Sequence, residues 1–356
     1  MRYCCASVLV LSVTSAALAS STFGRYEVIA LGPASGYVNG SPGINDLGQV
    51  CFGSGNVGDP AMVWRDGVST PLAKSAGVIP TRINNQGDVI APAAIVPPAG
   101  TVDVWLDGVG SQLRTLSGVQ FASPRDINDQ RVIALTSGNE VGYTYNVATK
   151  ALNTLGSLTS DVKRQFVNAM NNAGQVVGST DNAQGYGRAF VSLNGVMSDL
   201  SANEPLTLQT GANDINNRGV AVGYFGSTFD LRACVFRDGL AVQLASLGSN
   251  NIVSALAIND DGLIVGHRLQ KSGGFRAIVW DDAGAHGLDE LAINGAGWTF
   301  SAATGINSNG WITGFGTFNG QDRNFVMRPV PTPSALMIGA VWCFTRPDRR
   351  RCGPHA

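Results

Sequence analysis

Charge is scarce in this chain. Lysine, arginine, aspartate and glutamate make up 14% of its 356 residues, against roughly a quarter in ordinary soluble domains. Apolar residues make up 44%, enough for a large core. The formal net charge is -1, and removing Arg2, Arg346, Arg349, Arg350, Arg351 and Asp348 takes away a net +4, leaving the body at about -5. Such a charge-poor, mildly acidic body lacks the basic footprint of a nucleic-acid-binding protein.

Histidine is scarcer still, with only His267, His286 and His355. The body contains no H-x-x-x-H pair and no cysteine pair at zinc spacing, and no G-x-S-x-G elbow presents a serine nucleophile. "GSGNVG" at 53–58 fits G-x-G-x-x-G, but it runs into "DPAMVW" with no helix and no βαβ unit around it, so it reads as a loop between strands. Asp281, Asp282, Asp289 and Glu290 could pair for glycoside chemistry, although loop acids beside glycine are ordinarily turn formers. No metal and no cofactor is expected.

No apolar run is long enough for a comfortable membrane span. Residues 1–19 read as an export signal: Arg2, an apolar run from Ala6 to Ala17, then Ala17-Leu18-Ala19 as a small-x-small cleavage site. Cys4 and Cys5 precede that run and leave with the signal. Cys51 and Cys234 fall in different repeats, each inside an apolar strand pattern, and read as buried free thiols. At the other end, residues 330–356 combine a proline-rich break, an apolar run from Ala335 to Phe344 and an arginine cluster. Ten residues span about 15 Å as a helix, half a bilayer core, so the segment reads as a sorting tail with transient membrane association.

Glycine, by contrast, is plentiful, with 45 residues spread along the whole chain. Many of them belong to an internal repeat. "INDDGLIVG" at 258 recurs as "INDLGQVCF" at 44, "INNQGDVIA" at 83, "INDQRVIA" at 127, "MNNAGQVVG" at 170, "INNRGVAVG" at 215 and "INSNGWITG" at 306. The second position is asparagine in all seven copies: Asn45, Asn84, Asn128, Asn171, Asn216, Asn259 and Asn307. The fifth is glycine in six, and the third copy lacks it. A second signal follows each copy, as in "AMVWRDG" at 61 and "ACVFRDG" at 233, and most units then reach a short leucine-containing stretch. Alternating apolar and polar positions with Gly, Asn and Asp punctuation make these strands.

About four short strands in some 43 residues, repeated in tandem, predict propeller blades. The seventh unit ends at "NFVMRPV" without a fourth strand, while "RYEVIALG" at 25 supplies a stray one of the missing kind. The expected fold is therefore all-β: a seven-bladed β-propeller over residues 20–329, closed by its N-terminal strand so that no edge is left over.

Within each repeat, "N-D/N-x-G" reads as a four-residue hairpin loop in which the asparagine folds back onto backbone N–H groups and glycine takes positive φ. Calcium is the rival, with the Asp260-Asp261 copy the one to test, but a calcium loop needs oxygen ligands at alternating positions, which vary freely here. The ninth position (Phe52, Ala91, Ala134, Gly178, Gly223, Gly266, Gly314) is small in six copies, as expected where neighbouring blades approach near the axis. Trp64, Trp105, Tyr145, Phe236, Trp280 and Met327 align in the next strand, with Ser192 the exception, and this column is expected to fill the space between blades, sugar stacking being the alternative. Trp298 and Trp311 fall outside the column and are the candidate exposed ligand contacts.

Repeats such as "MNNAGQVVG" and "INNRGVAVG", followed by strands such as "RAFVSLNG", resemble the HAF-type extracellular repeats of bacterial exported proteins over most of residues 25–328. Arginine stands at Arg188-Ala189-Phe190 where that family's triplet begins with histidine. "VPTPSA" with the apolar run and "RRR" resembles a PEP-CTERM sorting tail, with Thr332 in place of its usual glutamate. The resemblance implies an exosortase-like processing enzyme as partner and an extracellular or cell-surface address, and it supplies no activity. The leading expectation is a non-catalytic binding module for polysaccharide or an envelope protein. A structural matrix component without a discrete ligand comes second, and a carbohydrate-active hydrolase or lyase third.

Overall fold

A computed structural model describes residues 24–330 apart from 35–41, 55, 57, 93–101, 114–118, 120–122, 161–163, 228, 249–252 and 272. The expected export signal and sorting tail lie outside the described residues, Val330 excepted. Seven antiparallel four-stranded sheets form the fold. After β1 (Tyr26–Pro33), blade 1 holds β2 (Gly43–Ile44), β3 (Val50–Phe52), β4 (Met62–Arg65) and β5 (Val68–Pro71). Blade 2 holds β6 (Arg82–Ile83), β7 (Val89–Pro92), β8 (Val102–Leu106) and β9 (Val109–Leu113), and blade 3 holds β10 (Ser123–Ile127), β11 (Val132–Thr136), β12 (Gly142–Asn146) and β13 (Leu152–Thr154). Blade 4 is β14 (Gln165–Met170), β15 (Val176–Asp181), β16 (Gly187–Leu193) and β17 (Val196–Asp199). Blade 5 is β18 (Gln209–Ile215), β19 (Ala221–Ser227), β20 (Asp230–Arg237) and β21 (Leu240–Gln243). Blade 6 is β22 (Val253–Ile258), β23 (Ile264–Leu269), β24 (Phe275–Asp281) and β25 (Gly284–Gly287). Blade 7 takes β26 (Trp298–Ile306), β27 (Ile312–Phe318) and β28 (Gln321–Pro329), with β1 as its fourth strand.

The closure expected from the sequence is present: β1 pairs with β28, Val28 opposite Met327 and Ala30 opposite Phe325. The segment 286–300 includes a one-turn helix, α1 (Leu288–Leu291), and the residues that follow it brace β1. Asn294 clamps both backbone groups of Val28, accepting from its N–H at 2.7 Å and donating to its carbonyl at 2.9 Å, and Ile293 N–H donates to Tyr26 at 2.8 Å. The outer edge of the closing strand is thereby bonded.

The hairpins follow from local chemistry. In the first hairpin of each blade the repeated asparagine donates its backbone N–H to the carbonyl of the residue four ahead, as Asn45 to Gln49 and Asn171 to Gln175, around a glycine at positive φ, 72° at Gly48 and 79° at Gly174. The third copy has not shortened its loop. Arg131 occupies the glycine position at φ 57°, and Asn128 still bonds Val132 four ahead. The ninth position of that copy is consequently Leu135, not Ala134. The third hairpins, "RDG", "LDG" and "LNG", place two consecutive residues at positive φ, for example Asp66 (49°) and Gly67 (89°), the geometry whose twist matches the flanking strands.

The core lies between blades. Among the described residues seven buried apolar clusters occur, each drawn from two adjacent sheets. The aligned column fills these spaces as expected: Trp64, Trp105, Phe236, Trp280 and Met327 are buried. Two of its indoles also bond the preceding linker, Trp105 Nε1 to Ala73 O at 2.8 Å and Trp280 Nε1 to Ala245 O at 2.7 Å. Ser192 keeps the equivalent bond, to Leu155 O at 2.6 Å, without the ring. The small ninth position has a different cause from the one expected. A Cβ at Gly178, Gly223, Gly266 or Gly314 would strike a carbonyl of its own blade's first strand, that of Phe166, Gly211, Ser254 or Ala302. The approach is within a blade, at a β-bulge that recurs in β14, β18, β22 and β26.

Candidate functional site

The first strand of every blade is innermost, so its outer edge faces a central channel with unpaired N–H and C=O groups. Strands that splay around an axis cannot pair there, and buried backbone groups need partners. The repeat supplies them from side chains.

Every ring asparagine bonds its own hairpin, and in six of the seven the side chain also bonds the next blade. Its Oδ1 accepts from backbone N–H groups of its own hairpin, as Asn216 does from Arg218 at 3.1 Å and Val220 at 2.9 Å. Its Nδ2 donates to the carbonyl of the next asparagine: Asn45 to Asn84, Asn84 to Asn128, Asn171 to Asn216, Asn216 to Asn259, Asn259 to Asn307, and Asn307 back to Asn45, at 2.8 to 3.0 Å. All seven are buried. The hairpin role was legible in the sequence and the link to the neighbour was not, although one signal pointed to it. A side chain needed only as a hairpin acceptor tolerates aspartate, yet no copy carries aspartate at this position, because only the amide can also donate.

A second ring sits one residue further on. Backbone N–H groups of Asp46, Asn85, Asp129, Asn172, Asn217 and Ser308 donate to Oδ1 of Asn85, Asp129, Asn172, Asn217, Asp260 and Asp46 respectively, at 2.7 to 3.0 Å. No two of the carboxylates Asp46, Asp129 and Asp260 are adjacent in this ring, and Asn85, Asn172 and Asn217 donate to them. Asp260 thus works as a link in this ring, with its two oxygens on Asn217. The two rings and the Ile/Met layer beneath them line a cavity of about 150 Å³ at the channel mouth, with Asp214 at its base.

Deeper in, the residue just before the motif is charged in three blades, at Arg82, Asp126 and Asp214. Asp126 accepts from Ile127 N–H and from Met170 N–H of blade 4, both at 2.8 Å. Asp214 does the same with Ile215 at 2.9 Å and Ile258 of blade 6 at 2.8 Å. Arg82 holds the matching place in blade 2, its Nε 4.0 Å from Asp126 Oδ1. Desolvation raises both carboxyls, Asp214 to about 7, while Arg82 opposes the shift. One position earlier, bulge residues Asn168 and Asn213 donate to Ala212 O at 2.8 Å and Ala255 O at 2.7 Å of the next blade. Arg125 stands at that place in blade 3.

The remaining candidates are dispersed. Trp298 is half-buried, stacked 5.3 Å from Phe300 and 5.0 Å from Phe318. Trp311 is half-buried beside Trp64 at 6.4 Å, with the Arg328 guanidinium 5.5 Å from its ring centroid. The two therefore occupy separate packing sites. His267 is held down to about 4 by burial and meets Phe275 edge-on at 4.6 Å. Asp281 lies 3.6 Å from His286, which the structure places in β25, while Asp289 and Glu290 fall in the first turn of α1. Cys51 and Cys234 are buried, unpaired and in different clusters, and burial pushes the Cys51 thiol up to about 12. "GSGNVG" joins β3 to β4. Among the described residues no group of three His, Cys, Asp or Glu is placed to hold a metal ion.

No family model matches the chain. No curated protein matches it. Solved structures do. A chain of the mitotic checkpoint complex is 12% identical with a TM-score of 0.54, covering 92% of this chain and 98% of its own. YCF48 bound to a D1 peptide is 12% identical with a TM-score of 0.50, over 87% of this chain and 98% of that one. A catalytically inactive virginiamycin B lyase from Staphylococcus aureus with quinupristin is 9% identical with a TM-score of 0.52, over 86% and 100%. At such identities the likeness is one of fold, and the fold is a seven-bladed β-propeller.

Proposed function

We propose that this chain is an exported, cell-surface-associated propeller acting as a non-catalytic binding module, its ligand a polysaccharide or an envelope protein. The observation that supports it is the contrast between the two faces. Antiparallel strands put the asparagine hairpins on one face and the second hairpins, with the inter-blade linkers, on the other. The inner part of the asparagine face is built from repeated residues bonded to one another, and exposed Val68, Val109 and Val196 stand singly at its third hairpins. The opposite face differs from blade to blade and presents apolar side chains over blades 4 to 6: Leu206, Phe229 and Phe275 are 55%, 87% and 42% exposed. Asn182 Nδ2 holds the Leu206 carbonyl at 2.7 Å, joining linker to hairpin. Variable hairpins on a braced ring are where a binding surface belongs. The neighbour bound to a D1 peptide illustrates that a propeller can serve as such a scaffold. Export and surface address rest on residues 1–19 and 330–356 and on the family resemblance.

The test has two arms. Cell fractionation of the full chain and of one ending at Val330 should show envelope retention lost on truncation; equal release of both forms would remove the surface address. Adsorption of the purified secreted protein to isolated envelopes and to extracellular polysaccharide should weaken severalfold in Phe229→Ser, and identical adsorption of wild type and variant would remove this face.

A further inference from the structure

Six of the seven blades carry a large residue in the aligned column, and blade 4 carries Ser192. Its register is that of the rings: Ser192 stands opposite Val176 as Trp105 stands opposite Val89 and Trp280 opposite Ile264. Strand alternation puts it on the same side of β16 as Phe190, which packs in the cluster between blades 3 and 4. Trp105 and Trp280 fill the corresponding gaps before blades 2 and 6 and bond the linker there. Ser192 makes that bond with a short hydroxyl, to Leu155 O at 2.6 Å, so the linker is held in place while the volume of a ring is missing. Met197, opposite Ser192, is larger than Gly110 opposite Trp105 or Ala285 opposite Trp280, and it packs against the same cluster. It does not close the gap: a cavity of about 690 Å³ lies beside Ser192, between blades 3 and 4.

The inner walls of this cavity are aliphatic, from buried Leu155, Met170 and Val176 and half-buried Leu152. Neutral amides stand towards its mouth, half-buried Asn146 with exposed Asn153 and Asn194. Among the described residues no charged side chain lines it, so nothing there would hold an ion. Its volume is that of a small-molecule site, an apolar enclosure with a few polar groups that fix orientation. A pyranose would press hydroxyl groups against the aliphatic walls and find no aromatic ring among the lining residues to stack on. A flat aromatic ring with one polar edge suits both parts, its body against Leu155, Val176 and the Met170 thioether and its polar edge towards the amides. We propose that the cavity beside Ser192 binds a small planar aromatic compound, its ring in the space that Trp105 and Trp280 fill in their own blades. The mouth lies by the third hairpin of blade 4, on the asparagine side and away from Phe229, so this site does not depend on the export reading or on the apolar face.

The experiment is titration calorimetry of the purified full chain with indole and, in a separate arm, with methyl β-glucoside. Wild type is compared with three variants. Ser192→Trp combined with Met197→Ala copies the Trp280 and Ala285 pair of blade 6 into blade 4 and refills the space. Leu152→Gln alters a wall without refilling it, and Phe229→Ser is the control on the opposite face. Saturable binding of indole at a single site, weakened tenfold or more in the double variant, severalfold in Leu152→Gln and unchanged in Phe229→Ser, is the expected result, with no saturation by the glucoside. Indole should also raise the unfolding midpoint of wild type and leave that of the double variant where it was. If the double variant unfolds well below wild type it is set aside, and Leu152→Gln decides alone. Indole heats no different from buffer, or wild-type affinity in Leu152→Gln, would overturn the proposal. Saturation by the glucoside would make the cavity a saccharide site and overturn the aromatic class.

Discussion

Asn45 donates its Nδ2–H to the carbonyl oxygen of Asn84, 2.8 Å away and 39 residues on, while Asn307 reaches back 262 residues to donate to Asn45. The first bond spans one repeat and the second spans the rest of the ring, yet the chemistry is the same. It depends on a side chain that accepts and donates at once. Asn216→Asp should therefore be costly although it preserves the hairpin acceptor: it loses the donor and points a carboxylate at the Asn259 carbonyl. A loss of about 2 kcal/mol is expected in reversible chemical denaturation, at least as large as for Asn216→Ala. A neutral Asn216→Asp would reduce the asparagine to a turn former.

Glycines of the repeat fall into two kinds that a sequence shows as one. Gly262 needs positive φ, 87°, in open space, whereas a Cβ at Gly266 would collide with the Ser254 carbonyl across the bulge. Gly262→Ala should cost about 1 kcal/mol for the left-handed conformation and Gly266→Ala about 3 kcal/mol, since rigid backbone must move. Comparison of denaturation midpoints at equal m-value checks the order.

Arg131 tolerates a backbone conformation that suits glycine because its guanidinium is bonded to buried Asp88, Nε at 2.8 Å and Nη2 at 3.1 Å, and to Asp107. Asp88 in turn accepts from Asn84 at 3.0 Å, in the role that Gln49 and Gln175 play for Asn45 and Asn171. Arg131→Gly restores the usual turn residue but strands a buried carboxylate. Its unfolding midpoint should fall, and adding Asp88→Gln should recover most of the loss. Additive effects in this double-mutant cycle would break the coupling.

Asp214 gives stability a pH dependence of definite sign. Its carboxyl is raised by desolvation from the ordinary range to about 7, so between roughly pH 4 and pH 7 the folded protein binds more protons at this site than the unfolded chain. The stabilising contribution is complete below about pH 4 and is lost as pH rises towards about 7. Asp126 is raised as well and acts in the same direction. Unfolding midpoints measured across this window should decline less steeply in Asp214→Asn than in wild type.

The closing strand carries its own prediction. Removing residues through Pro33 exposes the edge of β28, whose partner β1 is, and leaves Asn294 without Val28. The truncated chain should self-associate at micromolar concentration and lose cooperative unfolding, as sedimentation and denaturation would show.

Much of this molecule was legible from order along the chain. Blade count, four strands per blade, the donor of the closing strand and the interior column all follow from periodicity and turn chemistry, which are local and repeat seven times. Errors arise where a residue is judged by type alone. Arg131 passes for a missing glycine because its φ is compensated from another blade. The small ninth position suggests contact between blades because a bulge cannot be read from spacing. Trp298 and Trp311 stand out only by falling outside a column, and each proves to have aromatic company of its own.

Sequence alone thus specifies the unit and its multiplicity, since hydrogen-bonded hairpins need only neighbouring residues. What happens between units belongs to the closed ring. Closing seven splayed sheets around an axis leaves inner strand edges that no strand can pair, and only in the ring do the asparagine amides, Asp126 and Asp214 meet those edges from the adjacent blade.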